Sequence, residues 1–176
     1  GREMTLAQLR AMLTTRLEDV AGALVFFSTD DLDDALNEAY MEITDETEWY
    51  ELYQTVKVLT ARPYYDVRTV FEKEVLTPGR AFHVDSNRWL YPVSARDLDR
   101  RYALWEKVRS YPEAVFVRGL FWLGYWPMTG SEGTMTVKQY VTALPTPLSA
   151  AGDEPGFAEN FHYGLVEYAV AILMPQ

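Results

Sequence analysis

Only two histidines occur in the chain, and they are the first candidates for acid–base or metal chemistry. His83 lies in the segment Phe-His-Val-Asp, where the two-residue period of a strand would turn it and Asp85 to the same face. Such a pair could orient an imidazole as a general base or contribute two ligands to a metal. Two candidate ligands do not make a metal site, so we expect a solvated strand face, with a hydrolase using this pair as an alternative. His162 precedes the last apolar segment, and we expect it to be a capping or interface group.

The densest acidic cluster is Asp-Asp-Leu-Asp-Asp, residues 30–34. Clustered carboxylates can bind a cation or supply an acid–base pair. Leu32, however, continues a buried helical stripe, and no glycine provides the sharp turn of a calcium loop. We therefore expect the acidic first turn of a helix, where carboxylates complement the helix dipole. The sequence also has no phosphate-binding, dinucleotide-binding, serine-hydrolase or zinc-protease motif, so we predict no enzyme, no metal and no cofactor.

Aromatic side chains are concentrated in the segment Leu-Phe-Trp-Leu-Gly-Tyr-Trp-Pro, which contains Trp122 and Trp126. Exposed rings on a strand can stack on a sugar or a base. A carbohydrate- or peptide-binding module that uses this strand is therefore the main alternative function. Apolar residues alternate onto both faces of the segment, however, which favours a strand that is covered on both sides.

Periodicity and capping signals place helices at both ends of the chain and strands between them. The predicted helices cover about residues 5–18, 29–44, 46–59, 95–110 and 157–174, and the β-rich part covers about 64–141. Because the strands follow one another through short turns, we expect an antiparallel sheet. The predicted fold class is α+β, in which N-terminal and C-terminal helices form a helical bundle with an inserted antiparallel β-rich part. We treat residues 4–176 as one domain.

Charge and composition exclude several classes of function. The 176 residues carry a formal net charge of −10 and contain no cysteine. Disulfides and thiolate chemistry are therefore excluded, and tight binding of DNA phosphates would work against the protein's own field. The final apolar run is too short for the roughly 20 residues that cross a bilayer, so we expect no membrane partner.

That final run raises a separate question. Between Leu165 and Met174 only Glu167 carries a charge, so a helix there would be apolar almost all the way round. A surface helix of a soluble monomer keeps a polar face for water. We therefore expect a second protein to cover part of this helix.

Several segments, in the same order along the chain, resemble tailed-phage head-to-tail adaptor proteins, also called head-completion or connector proteins. The resemblance extends over nearly the whole chain, from about Met4 to Leu173. The segments that carry it are FFSTDDLDDALNEAY, WLYPVSARDLDRRYALW, YPEAVFV, LGYWP, VKQYVTALPTPL, GDEP and FHYGLVEYA.

The resemblance implies a non-enzymatic virion protein at the neck, where head and tail meet, that is assembled in the host cytoplasm. Its partners would be the portal protein, a tail or tail-completion protein, and further copies of itself in a homo-oligomeric ring that we expect to be dodecameric. DNA would pass through the ring without sequence-specific binding. No family motif marks individual binding residues, and we expect the portal or subunit interface to use the apolar side chains of the last helix: Leu165, Val166, Tyr168, Ala169, Ile172 and Leu173.

Overall fold

The computed structural model describes residues 4–21, 27–59, 62–71, 74–130 and 135–174. These residues form two compact units: one contains the described residues up to 49 together with those from 145 onward, and the other contains those between 50 and 144. We call them the helical unit and the sheet unit. The helices are α1 (Leu6–Ala21), α2 (Thr29–Thr47), α3 (Val67–Phe71), α4 (Ala95–Arg101) and α5 (His162–Leu173). The strands are β1 (Glu51–Val58), β2 (Tyr64–Asp66), β3 (Val75–His83), β4 (Arg88–Pro92), β5 (Ala114–Arg118), β6 (Trp122–Trp126) and β7 (Met135–Ala143).

Helices α1 and α2 begin at capping boxes. The Thr5 amide donates to Gln8 Oε1 at 3.0 Å, which satisfies one of the free N–H groups at the start of α1. Ser28 caps α2, where its hydroxyl accepts from the Asp31 amide at 3.1 Å and the Asp31 carboxylate accepts from the Ser28 amide at 2.9 Å. Glu48, at φ 48°, ends α2 in the left-handed conformation. These local signals confirm the first two predicted helices.

The core of the helical unit lies where α1, α2 and α5 pack together. Leucines at helical spacing on α1, represented by Leu6 and Leu13, are fully buried. Leu36 of α2 and Leu165 of α5 complete the same cluster. The stripes that the sequence places on these helices are therefore the surfaces that pack.

The sheet unit contains all seven strands in the order β1-β7-β3-β4-β5-β6-β2. Neighbouring strands are antiparallel except β4 and β5, which are parallel at Tyr91–Ala114 and Pro92–Val115. Strands β3 and β4 form a hairpin, with Asn87 in the left-handed region at φ 53°. Asparagine tolerates that conformation better than most residues.

The predicted helix over 46–59 is wrong, since residues 51–58 form β1 instead. The spacing of Trp49, Leu52 and Val56 suits a helix, yet Val56 and Val58 alternate with exposed side chains as a strand requires. All eight residues of β1 pair with β7. This pairing with a strand distant in the sequence overrides the helical period.

The predicted fold class is also wrong. The strands form one curled sheet with both antiparallel and parallel pairs, rather than an antiparallel insert. The helices do not form a terminal bundle around the sheet. The parallel pair arises because the chain between β4 and β5 is a crossover that contains α4. The helix predicted over 95–110 is shorter in the structure and ends at Arg101. There Leu104 takes a left-handed φ of 58°, and a 3-10 turn follows over Trp105–Lys107.

The helix predicted over 157–174 is shorter in the structure. A 3-10 turn at Glu159–Phe161 precedes α5, which begins at His162. Strands β5, β6 and β7 lie in the β-rich part predicted over about 64–141, and β7 continues to Ala143.

Candidate functional site

His83 is buried, so the expectation of a solvated strand face at this residue is wrong. Its Nδ1 atom contacts the Ser86 hydroxyl, and its Nε2 atom lies 3.7 Å from Asp85 Oδ2. Burial lowers the pKa of His83, while the Asp85 charge acts in the opposite direction. Asp85 also accepts a hydrogen bond from the Thr136 amide at 2.9 Å. An imidazole enclosed in this way cannot reach a substrate, and the pair instead ties the β3–β4 turn to β7.

His162 is buried at the start of α5. Its Nε2 atom is 2.9 Å from the carbonyl oxygen of Phe157, and its ring packs edge-on against the Phe157 ring at 5.4 Å between centroids. The histidine therefore stabilises the turn that leads into the last helix.

The acidic cluster at the start of α2 is engaged in local structure. The Asp31 carboxylate accepts hydrogen bonds from Ser28, which lowers the pKa of Asp31. The Asp33 carboxylate accepts two hydrogen bonds from Arg10, one from Nε at 2.7 Å and one from Nη2 at 2.6 Å. Across the residues that the structure describes, no group of three or more histidine or acidic side chains is placed to hold a metal. The prediction of an acidic first helical turn is confirmed.

Trp122 and Trp126 do not form a two-ring platform. Trp122 is 45% exposed, whereas Trp126 is only 8% exposed and packs against Tyr102 with 4.9 Å between the ring centroids. A sugar-stacking surface needs accessible rings side by side. The alternative of a carbohydrate- or peptide-binding module therefore lacks its second ring on this strand.

The six interface candidates on α5 divide into two groups. Leu165, Val166 and Ala169 are fully buried in the core of the helical unit. Tyr168, Ile172 and Leu173 pack against the edge of that core and keep part of their surface exposed. The chain itself thus covers more of this helix than its sequence suggests, and the three candidates that stay partly exposed lie in the second half of the helix.

An apolar groove of about 560 Å³ lies in the helical unit between the end of α2 and the first turn of α5. Trp49, Phe157 and Phe161 line it, and Gly156 lets Trp49 approach, since a Cβ there would lie 3.0 Å from the indole ring. Pockets that bind small polar molecules present several converging polar groups. Thr47 is the one polar side chain that lines this groove among the described residues, so the groove is better suited to apolar protein side chains.

One face of the sheet formed by β1, β7, β3 and β4 carries exposed aromatic and basic side chains, and we call it the aromatic face. Trp89 is 52% exposed and Tyr53 is 57% exposed. Ring centroids lie 5.5 Å apart for Tyr53 and Tyr140 and 5.8 Å apart for Trp89 and Tyr140. The alternation of these residues with core residues is the signal that could have revealed the face. Its members are Tyr53, Lys57, Arg80, Phe82, Trp89, Tyr91, Lys138 and Tyr140.

None of the described helices is long and apolar enough to cross a membrane. A family model for the SU10 adaptor protein matches residues 4–175. The chain belongs to the SU10 adaptor protein family. The resemblance to phage head-to-tail adaptors is thereby confirmed. Comparison with curated proteins finds no match.

Membership of the SU10 adaptor family implies a structural role in a phage particle and association with portal and tail proteins. It also implies a place in the virion neck, in a family that is not typically enzymatic. The buried His83 and the exposed aromatic face are consistent with such a role, because an adaptor works through its surfaces.

Proposed function

We propose that this SU10 adaptor forms a homo-oligomeric, dodecameric ring beneath the portal, extends the DNA channel and presents the surface to which the tail attaches. The observation that carries the proposal is the family match over residues 4–175. Assembly takes place in the host cytoplasm before the ring becomes part of the virion neck.

The partly exposed candidates in the second half of α5 provide the portal or subunit contact in this proposal. Tyr168, Ile172 and Leu173 contribute apolar surface that the chain only partly covers, whereas Leu165, Val166 and Ala169 hold the helix on its own core. Burial of apolar surface contributes about 25 cal/mol per Å², before the costs of association. One partly exposed helix in each copy thus becomes a substantial contact when it is repeated around a ring.

Net charge supports a passive DNA channel. A chain with a formal charge of −10 has no overall attraction for phosphates. Repulsion between like charges keeps DNA from adhering to the protein that surrounds it. In this proposal the ring guides DNA without reading its sequence.

Sedimentation with the purified portal protein tests the contact at α5. Ile172→Asp places a carboxylate in the half-buried apolar surface and should abolish co-sedimentation with the portal. Ala7→Asp is the control, because Ala7 is exposed in the first turn of α1, outside the proposed contact, and this change should leave binding unchanged. Circular dichroism establishes that both variants are folded. Normal portal binding by folded Ile172→Asp protein would remove α5 from the interface.

A further inference from the structure

The aromatic face combines exposed rings with basic side chains. Large rings from four strands meet on it, and Phe82 and Trp89 are in edge-on contact with 5.1 Å between centroids. Arg80 lies over two of the rings, at 5.0 Å from the centroid of Trp89 and 4.8 Å from that of Tyr140. Clusters of exposed aromatic residues with arginine are typical of protein interfaces.

The sheet holds Arg80 in this position through a bulge in β3. Pro78 pairs with Val141 and Ala81 pairs with Gln139, so β3 has one extra residue opposite β7. The buried Gln139 amide donates to the carbonyl oxygens of Gly79 and Arg80 at 3.2 and 3.3 Å. The side-chain amide therefore supports the backbone from which Arg80 projects.

Two lysines on this face lack an acidic partner within the described part of the chain. Lys57 pairs with Thr136 and Lys138 pairs with Thr55, which makes the two lysines diagonal neighbours on adjacent strands. Neither forms a salt bridge to a described carboxylate, whereas Arg80 is bonded to Glu51 at 3.3 Å. Like charges at that spacing repel each other. An anionic partner would relieve the repulsion.

The charge of helix α2 is complementary to that of the aromatic face. The 19 residues of α2 include eight acidic side chains and no lysine or arginine. Asp34, Glu38 and Glu42 follow one another at i, i+4 spacing, an arrangement of like charges that destabilises an isolated helix. Asp34 and Glu38 are exposed, and no described basic group forms a salt bridge with them.

We propose that the aromatic face of one copy binds the acidic α2 of a second copy, which makes this pair of surfaces the head-to-tail contact between neighbours. The inference rests on the proposed ring and specifies its subunit contact. A face that differs from the surface it binds is required for a heterologous interface, which closes into a ring at the correct rotation. DNA is a poorer occupant, because the whole chain carries a net charge of −10 and would have to approach the phosphates.

A charge exchange between two variants tests this contact on reconstituted portal–adaptor complexes. The first variant carries Lys57→Glu and Lys138→Glu, so that its aromatic face and its α2 are both acidic. The second carries Asp34→Lys and Glu38→Lys, which changes the formal charge of the row Asp34, Glu38 and Glu42 on α2 from −3 to +1. In this variant the contact row on α2 and the aromatic face are both basic. An equimolar mixture can alternate around a ring, and every contact in that ring joins opposite charges.

Microscopy and mass measurement should show a full ring for the wild-type protein and for the mixture. Each variant alone should load onto the portal with an apparent Kd at least about ten-fold weaker, since like charges then face each other. A control with Arg96→Glu and Lys107→Glu has the same change of charge at exposed positions off the aromatic face and should assemble normally. Circular dichroism of every variant excludes misfolding.

Three results would overturn the proposal. If both variants fill the ring alone, neither surface is in the contact. If only the variant with Lys57→Glu and Lys138→Glu fails to load and the mixture does not restore the ring, the aromatic face binds another partner. Weaker binding of double-stranded DNA by that variant in a filter-binding assay would identify the partner as DNA. If wild-type protein forms no ring, the proposed function fails, and this result is visible before any variant is used.

Discussion

Replacement of the buried Gln139 by leucine should destabilise the sheet unit. Gln139 Oε1 accepts a hydrogen bond from the Tyr125 hydroxyl at 3.2 Å, and Gln139 Nε2 donates to the Tyr140 carbonyl at 2.8 Å in addition to its two bonds at the bulge. Leucine fills a similar volume but makes none of these bonds. The effect separates the hydrogen-bonding role of the side chain from its packing role.

The magnitude follows from the groups that lose a partner. Tyr125 is buried, and burial raises the pKa of its hydroxyl far above the usual range, so the group stays neutral and needs an acceptor. An unsatisfied buried hydroxyl costs about 1–3 kcal/mol, and loss of the bond to Tyr140 costs about 1 kcal/mol more. Burial of leucine offsets part of this loss. We expect Gln139→Leu to lower the free energy of unfolding by about 2–3 kcal/mol.

Urea unfolding followed by tryptophan fluorescence measures the loss, since four of the five tryptophans lie between residues 50 and 144. Tyr125→Phe removes the hydroxyl that Gln139→Leu leaves without an acceptor. The double variant should therefore be about 1 kcal/mol more stable than the sum of the single changes predicts. A loss below about 0.5 kcal/mol for Gln139→Leu, or strictly additive changes, would refute this role of the hydrogen bonds.

Two further changes test the packing of the sheet and the start of α2. A Cβ at Gly124 would lie 2.1 Å from Phe116 Cζ, so Gly124→Ala should lower the free energy of unfolding in urea by about 1–3 kcal/mol. Phe116→Leu in the same chain should restore part of that stability. A Gly124→Ala protein as stable as wild type would show that the Phe116 ring can move aside. Ser28→Ala removes the cap of α2 and should cost about 1 kcal/mol at pH 7. Because the pKa of Asp31 is lowered in the folded state from its ordinary value of 3.8, the stabilisation by its bonds to Ser28 is present above that pH and is lost as the pH falls through the folded pKa. The difference between Ser28→Ala and wild type should therefore narrow in acid, and a difference that does not change with pH would contradict the assignment.

Local signals predicted α1 and α2 well. Capping residues and a single helical period mark α1 and α2, and both begin close to where their caps place them. These features depend on residues three or four positions apart. They can therefore be recognised without knowledge of the rest of the chain.

Features that depend on distant contacts were not predictable in this way. β1 is a strand because β7 pairs with it, and β4 lies parallel to β5 because the chain crosses over between them. We expected His83 in solvent, but it is buried. The two-residue period of a strand shows which residues share a face and does not show which of the two faces the rest of the chain covers. A helix that is apolar all round, such as α5, has the same ambiguity: only the packing of α1 and α2 shows that Leu165 is internal and Leu173 is partly exposed.

Electron microscopy of the wild-type protein mixed with its purified portal tests the central claim most directly. The account predicts a closed ring of identical copies, coaxial with the portal and continuous with its channel. Particles in which the portal remains bare, or carries the protein at scattered positions outside the channel axis, would contradict it.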